Sequence, residues 1–210
     1  MKLILASRNQ HKLREIRKML DIAELELVSL DHYADVPEVV EDGATFAANA
    51  VKKAVTVALY LQVWAMADDS GLEVDALAGA PGVQSARYAG THGDDAANNR
   101  KLLQDLTGAV SRTARFRCVV ALASPQGRAQ IVDGVCEGII LEDCRGTGGF
   151  GYDPLFSPQG QTLAFAEMSG ELKNSISHRA KAMSQARREW GEILAGRSPD
   201  WSRRIVRTEG

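Results

Sequence analysis

Short apolar segments alternate with amphipathic helical segments over the first 67 residues, and this order constrains the fold more than any other feature of the sequence. Leu13, Ile16 and Leu20 recur at the spacing that is typical of a helix with one buried face. The predicted strands and helices are, in chain order, KLILA (2–6), HKLREIRKML (11–20), LELVSL (25–30), TFAANAVKKAVTVALYL (45–61) and VWAMA (63–67), the last ending at Asp68. Such an order favours a sheet that is covered by helices.

The rest of the chain predicts a hairpin between two helices. One helix is predicted over 94–106, and Gly108 supplies its stop signal. Strands over 115–123 and 129–141 flank the turn SPQGR and are expected to pair antiparallel. The last helix is predicted over 177–194. Together these segments predict an α/β fold in which a mixed, twisted sheet is flanked by helices.

Charge and cysteine content exclude several classes of function. A formal net charge of −2 provides no basic footprint for nucleic acid or for a membrane surface. The three cysteines are odd in number and lack a metal-binding spacing, which is typical of buried thiols in a reducing compartment. No apolar run reaches membrane-spanning length, and the apolar start is too short for a signal peptide. We therefore predict a cytoplasmic protein without nucleic-acid or membrane partners.

Segments that follow strands are the expected ligand-binding positions in such a sheet. Four of them carry candidate residues: 7–12, 38–45, 68–71 and 146–154. In the first, SRNQHK, the unpaired N–H groups of a helix start and the charge of Lys12 suit a phosphate group. The alternative is an ordinary helix cap with Lys12 in solvent.

Two adjacent carboxylates, Asp68 and Asp69, follow the apolar segment VWAMA. Adjacent negative charges repel, so the pKa of one would rise unless a cation neutralises them. Mg²⁺ suits this role because it takes hard oxygen ligands and shares them with phosphates, and Glu38 or Glu41 is available as a third carboxylate. The alternative is a turn in which Asp69 or Ser70 is a cap and Asp68 faces water.

A glycine-rich loop and a basic segment complete the candidate set. GTGGFGYDP contains four glycines together with Phe150 and Tyr152, and such a loop can approach a ligand closely while an aromatic ring stacks on a base. LKNSISHR supplies, near the start of the last helix, Lys173, His178 and Arg179. The alternatives are a mobile surface loop and a solvated basic face. Taken together, phosphate donors, carboxylates, a stacking platform and cations suit a nucleoside triphosphate.

The chain resembles the non-canonical purine nucleoside triphosphate pyrophosphatases, also called inosine triphosphate pyrophosphatases. The matching stretches occur in the family's order and are LASRNQHKLREI, EDGATFAANAVKKA, ADDSGLEVDALAGAPGVQSARYAG, ARFRC, GTGGFGYDPLF and KNSISHRAKA. The resemblance implies Mg²⁺-dependent hydrolysis of the triphosphates of inosine, deoxyinosine and xanthosine to monophosphate and pyrophosphate, which cleanses the nucleotide pool. It also implies a homodimer and, over residues 1–195, a single domain of two lobes with an active-site cleft between them. Residues 196–210 form a basic C-terminal tail without a counterpart in the family.

The resemblance further implies roles for individual residues. Asp69 corresponds to the proton acceptor and to a metal ligand. Glu41 is expected as a second metal ligand, with Glu38 or Asp68 as alternatives, and the sequence leaves open which carboxylate is the base and which the ligand. Substrate contacts are implied for Ser7, Arg8, Asn9, Gln10, His11, Lys12, Ser70, Phe150, Gly151, Tyr152, Asp153, Lys173, His178 and Arg179, with Lys53 and Asn49 near the phosphates.

Two other functions are compatible with these residues. One is a related pyrophosphatase that acts on other altered nucleotides, including pyrimidines. The other is a nucleotide-binding regulatory module without turnover, which the intact Asp68, Asp69 and Lys12 disfavour. For an active enzyme, we expect water to attack the α-phosphorus while pyrophosphate leaves.

Overall fold

The computed structural model describes residues 1–22 and 25–197. The predicted basic tail, 196–210, lies outside this part of the chain except for its first two residues. None of the helices described combines the length and the hydropathy needed to cross a bilayer.

Strands and helices alternate along the first half of the chain, as the apolar pattern predicts. The strands are β1 (Lys2–Leu5), β2 (Glu26–Ser29), β3 (Trp64–Val74), β4 (Thr113–Ala123), β5 (Ala129–Ile140) and β6 (Phe156–Pro158). The α-helices are α1 (Gln10–Leu20), α2 (Phe46–Leu61), α3 (Asp95–Asp105), α4 (Gly170–Ile176) and α5 (His178–Leu194). Short 3₁₀ turns lie at Leu30–His32, Asp75–Leu77, Gly82–Arg87 and Phe165–Glu167.

The strands form one six-stranded sheet in the order β2-β1-β3-β4-β5-β6. β1 is parallel to both of its neighbours, with Ile4 opposite Val28 of β2 and opposite Ala65 of β3. β6 is antiparallel to β5, and β4 and β5 are sheet neighbours joined by the short turn that SPQGR predicts. The predicted mixed α/β sheet flanked by helices is therefore confirmed.

The third strand is longer than its apolar segment predicts. A strand that ends at Asp68 and a loop over 68–71 are predicted from the sequence, and both are wrong because β3 continues to Val74. Ligand binding by residues 68–71 stays a prediction. Asp68 is 1% exposed and Asp69 is 7% exposed, so the alternative in which Asp68 faces water is also wrong. Leu72 and Val74 are fully buried, and burying them favours the extended conformation beyond the polar residues.

The basic segment LKNSISHR belongs to two helices rather than to the start of one. α4 begins after Ser169, whose hydroxyl accepts a hydrogen bond from the Leu172 N–H, and it ends at Ile176, because the following Ser177 has extended dihedral angles. α5 then begins at His178. Lys173 therefore lies in a short helix of its own, which the sequence analysis does not predict.

The chain divides into two compact units, and the divisions fall within β3, β4, β5 and the first turn of α5. Unit 1 consists of Met1–Asp69, Cys118–Gly134 and Ala180–Gly210, and unit 2 consists of Ser70–Arg117 and Val135–Arg179. Each unit has its own apolar core, built in unit 1 around Leu5, Met66 and Trp190 and in unit 2 around Leu72, Phe116, Phe156 and Phe165. The single domain over 1–195 and its cleft stay predictions.

Candidate active site

The first predicted phosphate segment forms the N-terminal cap of α1. The Asn9 side chain accepts hydrogen bonds from the N–H groups of His11 and Lys12, at 2.9 and 3.2 Å, and the Ser7 hydroxyl accepts one from the Asn9 N–H. This capping stabilises the helix start and satisfies two of the N–H groups that would otherwise be available to an anion. Asn9 is therefore the N-cap of α1, and its contact with the substrate stays a prediction.

Lys12 differs from its neighbours because it is directed toward an acidic cluster. Its Nζ lies 3.1 Å from Asp68 Oδ2, and its side chain is only 16% exposed. The alternative in which the Lys12 side chain lies in solvent is thus wrong. Arg8 and Gln10 instead lie beside the exposed Asp31, and His11 contacts Arg14.

A second lysine, Lys53 of α2, joins the 38–45 loop, which contains Glu38, Glu41 and Asp42, to β3. Its Nζ lies 3.0 Å from Glu41 Oε1 and donates a hydrogen bond to the Asp68 carbonyl oxygen at 2.8 Å. The Lys53 side chain is only 11% exposed, so its hydrogen bond to Asp68 is buried, whereas Glu41 is partly open to solvent. Glu38, the alternative metal ligand from the same loop, is exposed. Of these two candidate metal ligands, Glu41 is the one that contacts Lys53.

Asn49 holds Asp69 to the same loop through both ends of its amide. Its Nδ2 donates to Asp69 Oδ2 at 3.0 Å, and its Oδ1 accepts from the Gly43 N–H at 2.8 Å. A Cβ atom on Gly43 would lie 2.6 Å from that Oδ1, so this contact requires glycine at position 43. These residues form one polar cluster in unit 1, which we call the acidic cluster. Its members are Lys12, Glu41, Gly43, Asn49, Lys53, Asp68 and Asp69.

Burial sets the electrostatics of the acidic cluster. Desolvation raises the pKa of the Asp69 carboxyl above its ordinary value, although Lys53, the Asn49 amide and Lys12 act in the opposite direction. Glu41 adds a further upward contribution to the pKa of Asp69. A buried carboxylate that two lysines compensate only in part favours the approach of another cation.

The donor set of the acidic cluster fits Mg²⁺. Its carboxylates provide hard oxygen ligands, but no three acidic, Cys or His side chains converge as a ready metal cage within residues 1–22 and 25–197. Mg²⁺ commonly binds through one or two carboxylates and takes its remaining ligands from phosphates and water. Successive residues of a strand point to opposite faces, so Asp68 and Asp69 are not presented as a chelating pair.

Unit 2 contains a second polar cluster, on the glycine-rich loop. Asp153 is 3% exposed, and its Oδ2 accepts hydrogen bonds from the Phe150 N–H at 2.9 Å and from Lys173 Nζ at 2.7 Å. The same ammonium lies 5.0 Å from the centroid of the Phe150 ring, within the range of a cation–π interaction. Asp153 and Lys173 thus fix both the backbone and the ring face of Phe150.

Arg179 and His178 contribute further donors to this cluster, although both are almost fully buried. Arg179 Nη2 donates to the Ser70 hydroxyl at 3.0 Å, and its guanidinium carbon lies 5.9 Å from the Phe150 ring centroid. The His178 ring stacks on Phe116, with centroids 4.8 Å apart and planes 13° from parallel. The alternative in which these two residues belong to a solvated basic face is therefore wrong.

Three residues that hold the glycine-rich loop are not predicted from the sequence. Asp95 and Asn99 of α3 bind the two backbone groups of Gly151, and the Ser85 carbonyl accepts the hydroxyl hydrogen of the buried Tyr152 at 2.9 Å. The i, i+4 spacing of Asp95 and Asn99 was the available signal, because it places two polar side chains on one helix face. The direct substrate roles of Gly151 and Tyr152 stay predictions.

We expect Gly149→Ala to destabilise the protein by about 2–5 kcal/mol, because it combines left-handed backbone strain with overpacking. Gly149 has φ of +74°, and a Cβ atom there would lie 2.0 Å from Asp153 Oδ2. Gly160→Ala is the matched control, since its φ is +79° but no atom lies within 4 Å of the added Cβ. Urea unfolding followed by circular dichroism measures both variants. Equal losses would show that the contact with Asp153 is unimportant.

Comparison with known proteins agrees with these motifs. A sequence model of the Ham1 family matches residues 3–189. A dITP/XTP pyrophosphatase from Desulforamulus reducens is 53% identical over 188 residues, covering 89% of this chain and 94% of that protein. The dITP/XTP pyrophosphatase from Geobacter sulfurreducens is 50% identical over 185 residues, covering 87% of this chain and 93% of that protein.

Solved structures agree at the level of the fold. A HAM1 protein from Coxiella burnetii has a TM-score of 0.85 at 39% identity, covering 91% of this chain and 99% of that chain. The Ham1 protein from Staphylococcus aureus has a TM-score of 0.83 at 35% identity, covering 93% and 99%. The family resemblance that the motifs indicate is thus confirmed.

Proposed function

The chain belongs to the Ham1 family, and from this premise we propose that it hydrolyses non-canonical purine nucleoside triphosphates to monophosphate and pyrophosphate. Relatives that are about half identical over most of their length are dITP/XTP pyrophosphatases. The observation in the structure that supports this activity most directly is the buried Asp69 in a cluster that also contains Lys12 and Lys53. A carboxylate in this environment can hold a water molecule, and the lysines can compensate phosphate charge.

The reaction is a displacement at the α-phosphorus. Asp69 orients the attacking water and accepts its proton, the bond between the α-phosphorus and the bridging oxygen breaks, and pyrophosphate leaves. Lys12 and Lys53 offset the negative charge that develops on the phosphate oxygens. Asn49 keeps Asp69 in position through its hydrogen bond to Oδ2, so the carboxylate does not need to reorganise during the reaction.

Mg²⁺ is the proposed cofactor, with Asp69 and Glu41 as its protein ligands and Asp68 or Glu38 as alternatives. When bound, the ion would supply Lewis-acid polarisation of the phosphate oxygens. The partial compensation of Asp69 by the lysines supports this assignment. Lys53 contacts Glu41 in the structure and has to share that carboxylate with the ion.

The cluster on the glycine-rich loop is proposed to bind the purine. Phe150 offers a ring face, and stacking on an aromatic side chain contributes about 1–3 kcal/mol per base in proteins that bind single strands. Arg179 carries donors only, so it suits the 6-oxo group of inosine or xanthosine better than the 6-amino group of adenosine. Lys173 and His178 are further proposed substrate contacts, as are the residues of the 7–12 segment.

Product analysis tests this function directly. We expect inosine or xanthosine triphosphate to yield one monophosphate and one pyrophosphate per turnover, with no free phosphate. Removing divalent ions with a chelator should abolish turnover, and adding Mg²⁺ should restore it. Release of free phosphate would contradict the pyrophosphatase assignment, and tight binding without turnover would favour a regulatory module.

A substrate panel separates the remaining alternative. Comparable kcat/KM values for altered pyrimidine triphosphates would show that the purine is not the selected feature. The homodimer and the cytoplasmic location also stay proposals, which the family resemblance supports. Light scattering coupled to size-exclusion chromatography would test the homodimer.

A further inference from the structure

Helix α3 binds the glycine-rich loop through both backbone groups of one residue. Asp95 Oδ2 accepts a hydrogen bond from the Gly151 N–H at 2.6 Å, and Asn99 Nδ2 donates one to the Gly151 carbonyl oxygen at 3.0 Å. The two side chains are four residues apart on one helix, so their spacing matches the two ends of a single loop residue. We call this pair of hydrogen bonds the α3 clamp.

The α3 clamp fixes the two peptide planes that flank Gly151. The Gly151 N–H lies in the plane shared with Phe150, and its carbonyl lies in the plane shared with Tyr152. Rotation about the Gly151 dihedrals is otherwise easy, since glycine carries no Cβ and here adopts φ of +62°. Holding both planes therefore determines the direction in which the preceding Phe150 leaves the backbone.

Gly151 itself has no side chain through which it could pack against α3. A pocket of about 450 Å³ lies between α3 and the loop, and its lining includes Asp95, Asn99, Phe150 and the glycines at 148, 149 and 151. Glycines contribute no side chains that could fill this space. At positions 150 and 151 the loop is therefore held by hydrogen bonds, from α3 on Gly151 and from Asp153 on the Phe150 N–H, whereas Tyr152 packs in the apolar core of unit 2.

Within residues 1–22 and 25–197, the Asn99 side chain leaves its amide oxygen buried without a hydrogen bond, which is energetically unfavourable. Asn99 is 7% exposed, and its Oδ1 is a buried oxygen without a hydrogen-bond partner among the residues that the structure describes. A buried unsatisfied oxygen is unfavourable, so the amide would not be retained here for packing alone. Its hydrogen bond to the Gly151 carbonyl compensates part of that cost.

We propose that Asp95 and Asn99 are positioning residues that set nucleotide affinity by holding Gly151, and with it Phe150, in the binding conformation. This inference rests on the proposed function of the glycine-rich loop. Neither side chain is assigned any contact with the substrate or with the reacting atoms. Loss of the clamp should therefore act on binding and leave the chemical step largely intact.

Steady-state kinetics with inosine triphosphate test this division. Asp95→Ala and Asn99→Ala are each expected to raise KM about tenfold and to change kcat less than about twofold, because each loses one well-aligned hydrogen bond that orders the loop. Asp95→Asn keeps an acceptor oxygen for the Gly151 N–H and should restore KM to within about threefold of the parent value. A fall in kcat at constant KM would overturn the proposal.

The isosteric variant Asn99→Asp separates positioning from packing. It keeps the shape of the side chain but places an acceptor against the Gly151 carbonyl oxygen, so KM should rise at least as much as in Asn99→Ala. If Asn99→Asp retained the parent KM, the residue would serve packing only. Asp94→Ala is the matched helix control, because Asp94 caps α3 through the Ala97 N–H, whereas the Gly151 backbone is bound by Asp95 and Asn99. It should lower stability without raising KM.

Hydrogen exchange gives a result that does not depend on catalysis. Mass spectrometry should show faster exchange over residues 146–154 in Asp95→Ala and Asn99→Ala, but not in Asp94→Ala. Unchanged exchange in the clamp variants would overturn the proposal even in an active enzyme. Conversely, if the clamp variants exchanged faster than the parent but the parent released no pyrophosphate, the clamp would be supported and the proposed function refuted.

Discussion

Asp69→Asn is expected to lower kcat by about 10²–10⁴-fold, the range over which a positioned acid or base contributes to catalysis. The amide retains the shape of the carboxylate and can still accept the hydrogen bond from Asn49 Nδ2. It cannot accept a proton from water, and it is a weaker ligand for a divalent ion. The fold should survive. Burial disfavours the charged form of Asp69, as its raised pKa shows, and a neutral amide at this position avoids that desolvation cost.

Thermal unfolding and single-turnover kinetics check both halves of this prediction. The melting temperature should stay equal or rise, as is common where an active site stores an unfavourable burial. Asp42→Asn is the matched control. Asp42 lies in the 38–45 loop next to Glu41 but forms an exposed ion pair with Lys52. Its kcat should match that of the parent. If Asp69→Asn kept near-parent kcat, Asp69 would be neither the base nor an essential ligand.

Arg179→Ala is expected to reduce discrimination between bases more than general catalysis. Arg179 is 1% exposed, and its Nη2 donates to Ser70 Oγ, which fixes the orientation of the guanidinium. Losing a hydrogen bond from a charged group should lower kcat/KM for inosine triphosphate about 10- to 100-fold. The value for adenosine triphosphate, whose amino group cannot accept from Arg179, should change by less than about threefold.

The ratio of the two kcat/KM values is the informative measurement, because any loss of stability affects both substrates alike. Arg179→Lys keeps the charge but not the planar set of donors, so the ratio should fall here as well. Arg187→Ala, on the exposed side of α5, changes the net charge equally and should leave the ratio unchanged. A uniform decrease for both triphosphates in Arg179→Ala would make Arg179 a phosphate contact or a structural residue.

Most of the fold could be predicted because its elements are defined by local periodicity. Leu13, Ile16 and Leu20 form the buried face of α1, as their spacing indicates, and β4 and β5 are neighbours because a short turn joins them. These relations involve residues close in sequence. Pattern alone could not predict β3 beyond Asp68, because its continuation depends on neighbouring strands and on the burial of Leu72 and Val74.

The same distinction applies to the candidate site. Sequence alone indicated which residue types were present, including Lys12, Asp69 and Phe150, and the order of the motifs indicated the family. Only the tertiary structure decided which groups meet: Lys12 with Asp68 across 56 residues, and Asp95 with Gly151 across another 56. It also decided that Asp68 and Asp69 have different partners. The physical reason is that a side chain's chemistry is fixed by its identity, whereas its pKa, burial and partners depend on contacts between segments that are distant in sequence.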